Sequence, residues 1–190
     1  LQIRVVKVFL DTNVLVSGFA TRGLCADVIR LVLAEHELIV PQVVLDELKR
    51  ALKQKIELPA EQIHEILAFL ENQTVQPKPK SLSSIPVRDE DDQWVLTSAL
   101  AAKADVLVIG EMRDSETIQL ALSAAETGVL VFGTLHTNTA SRAVDRILDT
   151  LAEEVRDHAR GVMSVLLRAV IAQRLLRRST GEGRVAGVEV

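Results

Sequence analysis

The chain has a single cysteine, Cys25, so no disulfide can form within its 190 residues, and a reducing compartment is the expected setting. Tyrosine is absent and aromatics make up only 3% of the residues, which leaves few flat surfaces for stacking a ligand ring. An excess of positive charge is also missing. The net charge of −4 argues against a strongly basic polyanion binder, although it leaves room for an acidic site that holds cations. No apolar run reaches membrane-spanning length without charges, so no membrane insertion is expected. The apolar stretch at residues 1–10 lacks the cleavage pattern of a secretory leader. Together these absences point to the cytoplasm. What is present, 48% hydrophobic and 25% charged residues, is the composition of a globular protein, with length for one compact domain or one and a half.

Apolar runs and helical periodicities alternate along the chain. Strands are expected at residues 5–10, 38–40, 106–109, 129–132 and 184–190. Helices are expected at 24–34, 42–55, 59–71, 116–126 and 139–151, and a long one at 154–176 whose apolar positions read as core. Asp91 or Asp92 is placed to cap another helix running to about residue 103. The only Pro/Ser-rich stretch, residues 77–88 (PKPKSLSSIPVR), reads as a loop, and Gly181 and Gly183 as the last turn. This βαβα order predicts an α/β fold, a mostly parallel sheet with helices on both faces. Every lysine lies at or before Lys103, and residues 111–190 use arginine alone as their strong base. That shift suggests two units, 1–110 and 111–190.

Acidic residues recur where such a fold puts its working groups. Asp11 directly follows the first strand in VFLDTNVLVSG, at the end of the sheet that lines a functional crevice. A lone aspartate there reads equally well as a helix cap. Glu47 lies on the helix of VPQVVLDELKRAL; Asp89, Asp91 and Asp92 crowd the start of a later helix; Glu111 follows VLVIG as Asp11 follows Leu10. Clustered carboxylates repel one another unless a cation neutralises them, and an all-oxygen site suits Mg²⁺ or Mn²⁺.

The strings VFLDTNVLVSG, VPQVVLDELKRAL and RDEDDQWVLTSALAAKADVLVIG, in that order and spacing, resemble PIN domains, most of all the PIN-family toxins of bacterial toxin–antitoxin systems, over about residues 4–110. The resemblance implies a metal-dependent endoribonuclease. Its acids would be Asp11, with Asn13 beside it, then Glu47, then Asp92, with Asp89 and Asp91 as substitutes. Asp11, Asp92 and Glu111 would bind the metal. Glu111 stands where the family usually has an aspartate, and Asp114 competes with it for the fourth place. Single-stranded RNA is the implied substrate, gripped by its backbone rather than read by its bases, and an antitoxin protein is a possible partner.

From about residue 105 a second resemblance takes over. DVLVIGEMRDSETIQLALSAAETGVLVFGTLHTNTASRAVDRILD, LLRAVIAQRLL and GRVAGVEV are similar to type IV pilus retraction and type II secretion ATPases. In that family's terms GEMRDSET looks like the Walker B region, with Glu111 polarising water, and VFGTLHTNTA like the histidine box, with His136 near the phosphates. The chain has no GxxxxGK[ST] string, and GFATRGLC lacks the lysine–hydroxyl pair, so ATP is not an expected ligand. His136 then reads first as a capping or core-edge polar residue.

The leading expectation is a ribonuclease whose last third is structural. The others are a non-catalytic assembly module of a pilus motor that binds like subunits as a homo-oligomer, and an inactive hybrid. The strand VLVIG with the acid after it satisfies both patterns, which puts the join within about residues 103–111. If one strand serves both halves, Asp11 and Glu111 should emerge from the same edge of one parallel sheet.

Overall fold

The structure is a computed structural model that describes residues 4–79 and 90–190. Seven strands and eight helices follow one another among these residues. β1 (Lys7–Leu10) leads into α1 (Thr12–Ala20) and α2 (Leu24–Glu35). β2 (Glu37–Pro41) is followed by α3 (Gln42–Gln54) and α4 (Ala60–Glu71), and β3 (Thr74–Gln76) precedes α5 (Glu90–Ala101). β4 (Val106–Glu111), α6 (Ser115–Glu126), β5 (Leu130–Thr134), α7 (Ala140–Thr150) and α8 (Glu153–Leu166) come next, and the chain closes with β6 (Ala172–Arg177) and β7 (Arg184–Glu189).

Five strands form one parallel sheet in the order β3-β2-β1-β4-β5. β1 runs outward to β2 and β3, whereas β4 runs to β5 on the other side, so the direction of winding reverses between β1 and β4. Crossovers between parallel strands are right-handed, so this reversal puts the two sets of helices on opposite faces. It also opens a crevice beyond the strand ends at the point of reversal. The centre of the sheet is apolar on both faces: Val8, Phe9 and Leu10 of β1 and Leu38, Ile39 and Val40 of β2 are all buried, as strands covered by helices on both sides require. Lys7 and Asp105 hold the starts of β1 and β4 together. The Lys7 N–H donates to an Asp105 carboxylate oxygen at 2.8 Å, and the Asp105 N–H to the Lys7 carbonyl at 2.9 Å.

The α/β expectation holds, and the later strands and helices fall near their expected places. Three differences have physical causes. The expected helix over 154–176 ends at Leu166, and β6 begins six residues later. β6 takes its hydrogen bonds from β7 in an antiparallel ribbon, which sequence periodicity does not register. Gly181 (φ 81°) and Gly183 (φ 74°) turn the chain between them in a region that glycine adopts without strain. Val165 and Leu176, expected as core, are exposed. Asp91 and Asp92 lie within the first turn of α5 rather than capping it, since the helix is already formed at Glu90. α1 and β3 had no clear sequence signal: α1 follows the first strand without a connecting loop, and β3 is three residues long.

One core runs beneath the whole sheet. Val14 and Leu15 of α1, Val44, Leu45, Leu48 and Leu52 of α3, and Leu96 and Ala99 of α5 join it, together with Leu120, Ala121 and Ala124 of α6. The opposite side of α6 places Ile118 in a smaller cluster with Leu151 and Ala159. α6 is therefore the element that fastens the last part of the chain to the sheet. Among the described residues, no helix is long and apolar enough to cross a membrane.

Leu48 is fully buried on α3 and backs the position of Glu47. Leu48→Ala removes buried methyl groups and leaves a cavity, a change that costs about 2–5 kcal/mol. Urea unfolding should show the midpoint falling by that free energy divided by the slope, with the slope itself unchanged. A loss below about 0.5 kcal/mol would mean that α3 is not seated on the core as described.

Candidate functional site

Asp11 leaves β1 at the point where the sheet reverses. Its N–H donates to the Val108 carbonyl of β4 at 2.9 Å, which extends the strand pairing by one residue and fixes the backbone. It occupies the N-cap position of α1, yet its side chain makes no capping hydrogen bond to that helix. The carboxylate instead turns toward β4, where Oδ2 accepts from the Gly110 N–H and from the Asn13 side-chain amide, both at 3.4 Å. These contacts are long for charge-assisted hydrogen bonds, so the carboxylate is held in place but only weakly satisfied. Gly110 is required for this approach. A Cβ there would sit 2.9 Å from the Asn13 Cβ and 3.5 Å from Asp11 Oδ2.

Glu47 reaches the same region from α3. The buried Thr12 hydroxyl donates to Glu47 Oε2 at 2.6 Å, joining the residue after Asp11 to the second acid. Asp11, Asn13 and Glu47 line one narrow cleft of about 80 Å³ together with Val95, Leu107, Ile109, Thr117 and Leu120. The polar groups enter from α1, α3 and α6, and the apolar floor comes from β4, α5 and α6. Thr12 was legible beforehand only as the middle of the DTN triplet. Thr117 carried no signal, because it reaches the cleft through the packing of α6 against the sheet.

The other expected site residues fare differently. Asp89 and the side chains of Asp91 and Asp92 lie outside the described residues. Glu111 ends β4 on the same edge as Asp11, as a shared strand requires, but it is not among the residues lining the cleft. Its Oε1 is paired with the Arg113 guanidinium and lies 2.7 Å from His136 Nε2. Glu111 in turn raises the pKa of Arg113. β4 carries an irregularity between Ile109 and Glu111 where it pairs with β5, and the Thr134 hydroxyl donates to the Gly110 carbonyl there at 2.8 Å. Asp114 is a helix cap: its side chain accepts from the Thr117 N–H at 2.8 Å. His136 is exposed beyond the end of β5, beside a wider depression of about 270 Å³ that Asn138, Arg142 and Asp145 also line. Among the described residues, no group of three His, Cys, Asp or Glu side chains is placed to hold a metal ion.

Comparison with known proteins finds two families in the one chain. The PIN domain model matches residues 7–113, and the type II/IV secretion system protein model matches residues 82–188. The two matches overlap at residues 82–113, which begins well before the expected join and takes in α5 and β4. A twitching motility protein of Neisseria gonorrhoeae is 54% identical over 95 residues, covering 50% of this chain and 25% of that protein. The type IV pilus retractation ATPase PilT of Pseudomonas aeruginosa is 50% identical over 95 residues, covering 50% of this chain and 27% of that protein. The chain thus spans about a quarter of the length of these curated relatives. Among solved structures, the pilus retraction motor PilT with bound ADP superposes with a TM-score of 0.51 at 28% identity, over 98% of this chain and 47% of that one.

Burial pushes the Asp11 carboxyl above its ordinary pKa, and the nearby N–H groups of Gly110, Thr12 and Asn13 offset this only in part. A carboxyl raised by folding stabilises the fold below its unfolded pKa, and that contribution is lost as pH rises through the folded value. Folding of the metal-free protein therefore disfavours the charged form of Asp11. Asp11→Asn removes the charge and keeps an oxygen for Gly110, so with chelator present the variant should melt above the parent at neutral pH. The difference should shrink as pH falls below the usual aspartate range. A melting temperature for the variant below the parent's throughout would show that Asp11 is stabilising as an anion.

Proposed function

Because the chain belongs to the PIN domain family through residues 7–113 and to the type II/IV secretion system protein family through residues 82–188, we propose that it is a metal-dependent ribonuclease. The substrate would be single-stranded RNA, cut by phosphodiester hydrolysis, with residues 1–110 acting as the nuclease unit and 111–190 as its structural continuation. One observation carries this reading: Asp11, Asn13 and Glu47 meet in a single cleft at the reversal point of the sheet.

The chemistry of that cleft suits a hard divalent cation. Asp11 and Glu47 offer oxygen donors alone, as Mg²⁺ and Mn²⁺ prefer, and Mg²⁺ keeps several waters and needs only one or two carboxylates. The buried Asp11 carboxylate, whose charge burial disfavours, is what such an ion would neutralise. We assign Asp11, Glu47 and Asp92 as its ligands. Glu111, spent on Arg113 and His136, and Asp114, spent on the start of α6, are held in reserve. When bound, the ion would supply a hydroxide nucleophile near neutral pH and charge neutralisation at the phosphate. Thr12 fixes the direction of Glu47, and such outer partners tune metal affinity. Asn13 offers an amide donor to the substrate. The apolar floor, Leu107 and Ile109, keeps bulk water from one side of the cleft.

The same reading places the protein in the cytoplasm, with an antitoxin covering the acidic cleft as its natural partner. A second role, assembly with like subunits of a pilus motor, is favoured by the apolar residues that the β6–β7 ribbon exposes, Leu175, Leu176, Val185 and Val188.

Purified protein should cleave a single-stranded RNA in Mg²⁺ or Mn²⁺, and both chelator and Asp11→Asn should reduce the cleavage to background. Cleavage at the parent rate by the variant would remove Asp11 from the chemistry. The 190-residue chain should not hydrolyse ATP, because it has no lysine-bearing phosphate loop and its Glu111 is already engaged. Steady phosphate release that Glu111→Gln abolishes would overturn that expectation.

A further inference from the structure

We propose that Thr117 is a substrate-positioning residue of the nuclease site, its hydroxyl donating to a nonbridging oxygen of the bound phosphodiester. The inference rests on the reading above and adds to it a residue that lies outside the PIN match, which ends at 113.

Thr117 stands on α6, one turn before Leu120, and both residues line the same cleft as Asp11, Asn13 and Glu47. The face of α6 that continues through Leu120, Ala121 and Ala124 is packed into the main core, so the helix cannot turn Thr117 away without exposing those residues. The backbone N–H of Thr117 is held by Asp114 Oδ1 at 2.8 Å, which fixes the residue at the helix start. Its hydroxyl makes no hydrogen bond among the described residues. Threonines in helices often spend that hydroxyl on the carbonyl one turn back, as Thr97 and Thr150 do here. Thr117 does not, so its donor is unspent, and the residue lines the cleft.

A phosphodiester entering this cleft meets carboxylates on one wall. A cation offsets their charge, but the phosphate oxygens that face away from the cation still need donors, since an unmet acceptor in a confined site costs free energy. Asn13 supplies an amide from the α1 side, although that amide is also drawn to Asp11 Oδ2. Thr117 is the uncharged donor on the α6 side. A hydroxyl suits this place better than a cation would, because a lysine or arginine so close to Asp11 and Glu47 would pair with them and displace the metal.

The test compares the parent, Thr117→Val, Thr117→Ala and Thr117→Ser in cleavage of a single-stranded oligouridine with saturating Mn²⁺. Binding of the same fluorescein-labelled oligouridine is measured by anisotropy in the Asp11→Asn background. Valine keeps the shape and removes the hydroxyl, and alanine guards against a packing defect at valine. KM and the dissociation constant should rise about 3- to 10-fold in both, the effect of one hydrogen bond. kcat should stay within about 2-fold, and serine should restore the parent values. Unchanged KM and binding in Thr117→Val and Thr117→Ala, or failure of Thr117→Ser to restore them, overturns the proposal. Binding that depends on Thr117 without any cleavage by the parent would refute the nuclease reading and leave the phosphate contact standing. Cleavage by the parent that ignores every Thr117 substitution would do the reverse. Absence of both cleavage and binding in the parent refutes both.

Discussion

The parallel pairing of β1 with β4 is the constraint on which the rest of the molecule depends. It brings together segments about a hundred residues apart, and its register, Leu10 opposite Val108, decides where Asp11 emerges. The Asp11 N–H then closes onto the Val108 carbonyl, and the missing side chain of Gly110 admits the carboxylate against the end of β4. The winding reverses between these two strands, so their ends bound an open crevice rather than a packed layer. Val8, Phe9, Leu10, Leu107 and Ile109 make the pairing strong, since each is almost wholly withdrawn from water.

β4 is also where the two families meet. Both match across it, and Glu111 stands at its end directly after Gly110. Parallel α/β sheets all deliver such acids to the same edge, so a strand of this kind can serve either neighbour without a change of direction. On one side it pairs with β1 and supports Asp11; on the other it pairs with β5 and leads to His136. Glu111 sits between the two and is claimed by Arg113 and His136. α6 completes the join, with Leu120, Ala121 and Ala124 in the main core and Ile118 in the smaller cluster. The later segment thereby becomes a wall of the acidic cleft rather than an appended tail.

The β6–β7 ribbon shows the opposite condition. It is a two-stranded sheet whose Leu175, Leu176, Val185 and Val188 are exposed, and such a pair is marginal in water without a surface to pack against. Arg174 ties it to the body through a hydrogen bond to the Asn138 carbonyl at 2.8 Å.

By itself the sequence determined the α/β class, the position of most strands and helices, and the presence of Asp11, Glu47 and an acid after VLVIG. These are local or periodic features: a buried strand in a parallel sheet is a continuous apolar run, and a surface helix repeats its apolar residues at helical spacing. The sequence did not decide whether Asp11 is a working group or a helix cap, and it offered Asp114 as a competitor to Glu111. Tertiary structure drew that distinction, turning the Asp11 carboxylate across to Gly110 while leaving Asp114 on its own helix. It likewise sent Glu111 toward Arg113 and His136, ended the last helix at Leu166 in favour of a ribbon, and brought Thr117 to the cleft. Each of these depends on a partner distant in sequence or on which way a side chain turns from its backbone. Neither is encoded in periodicity, and both are settled only when the strands pair and the helices pack against them.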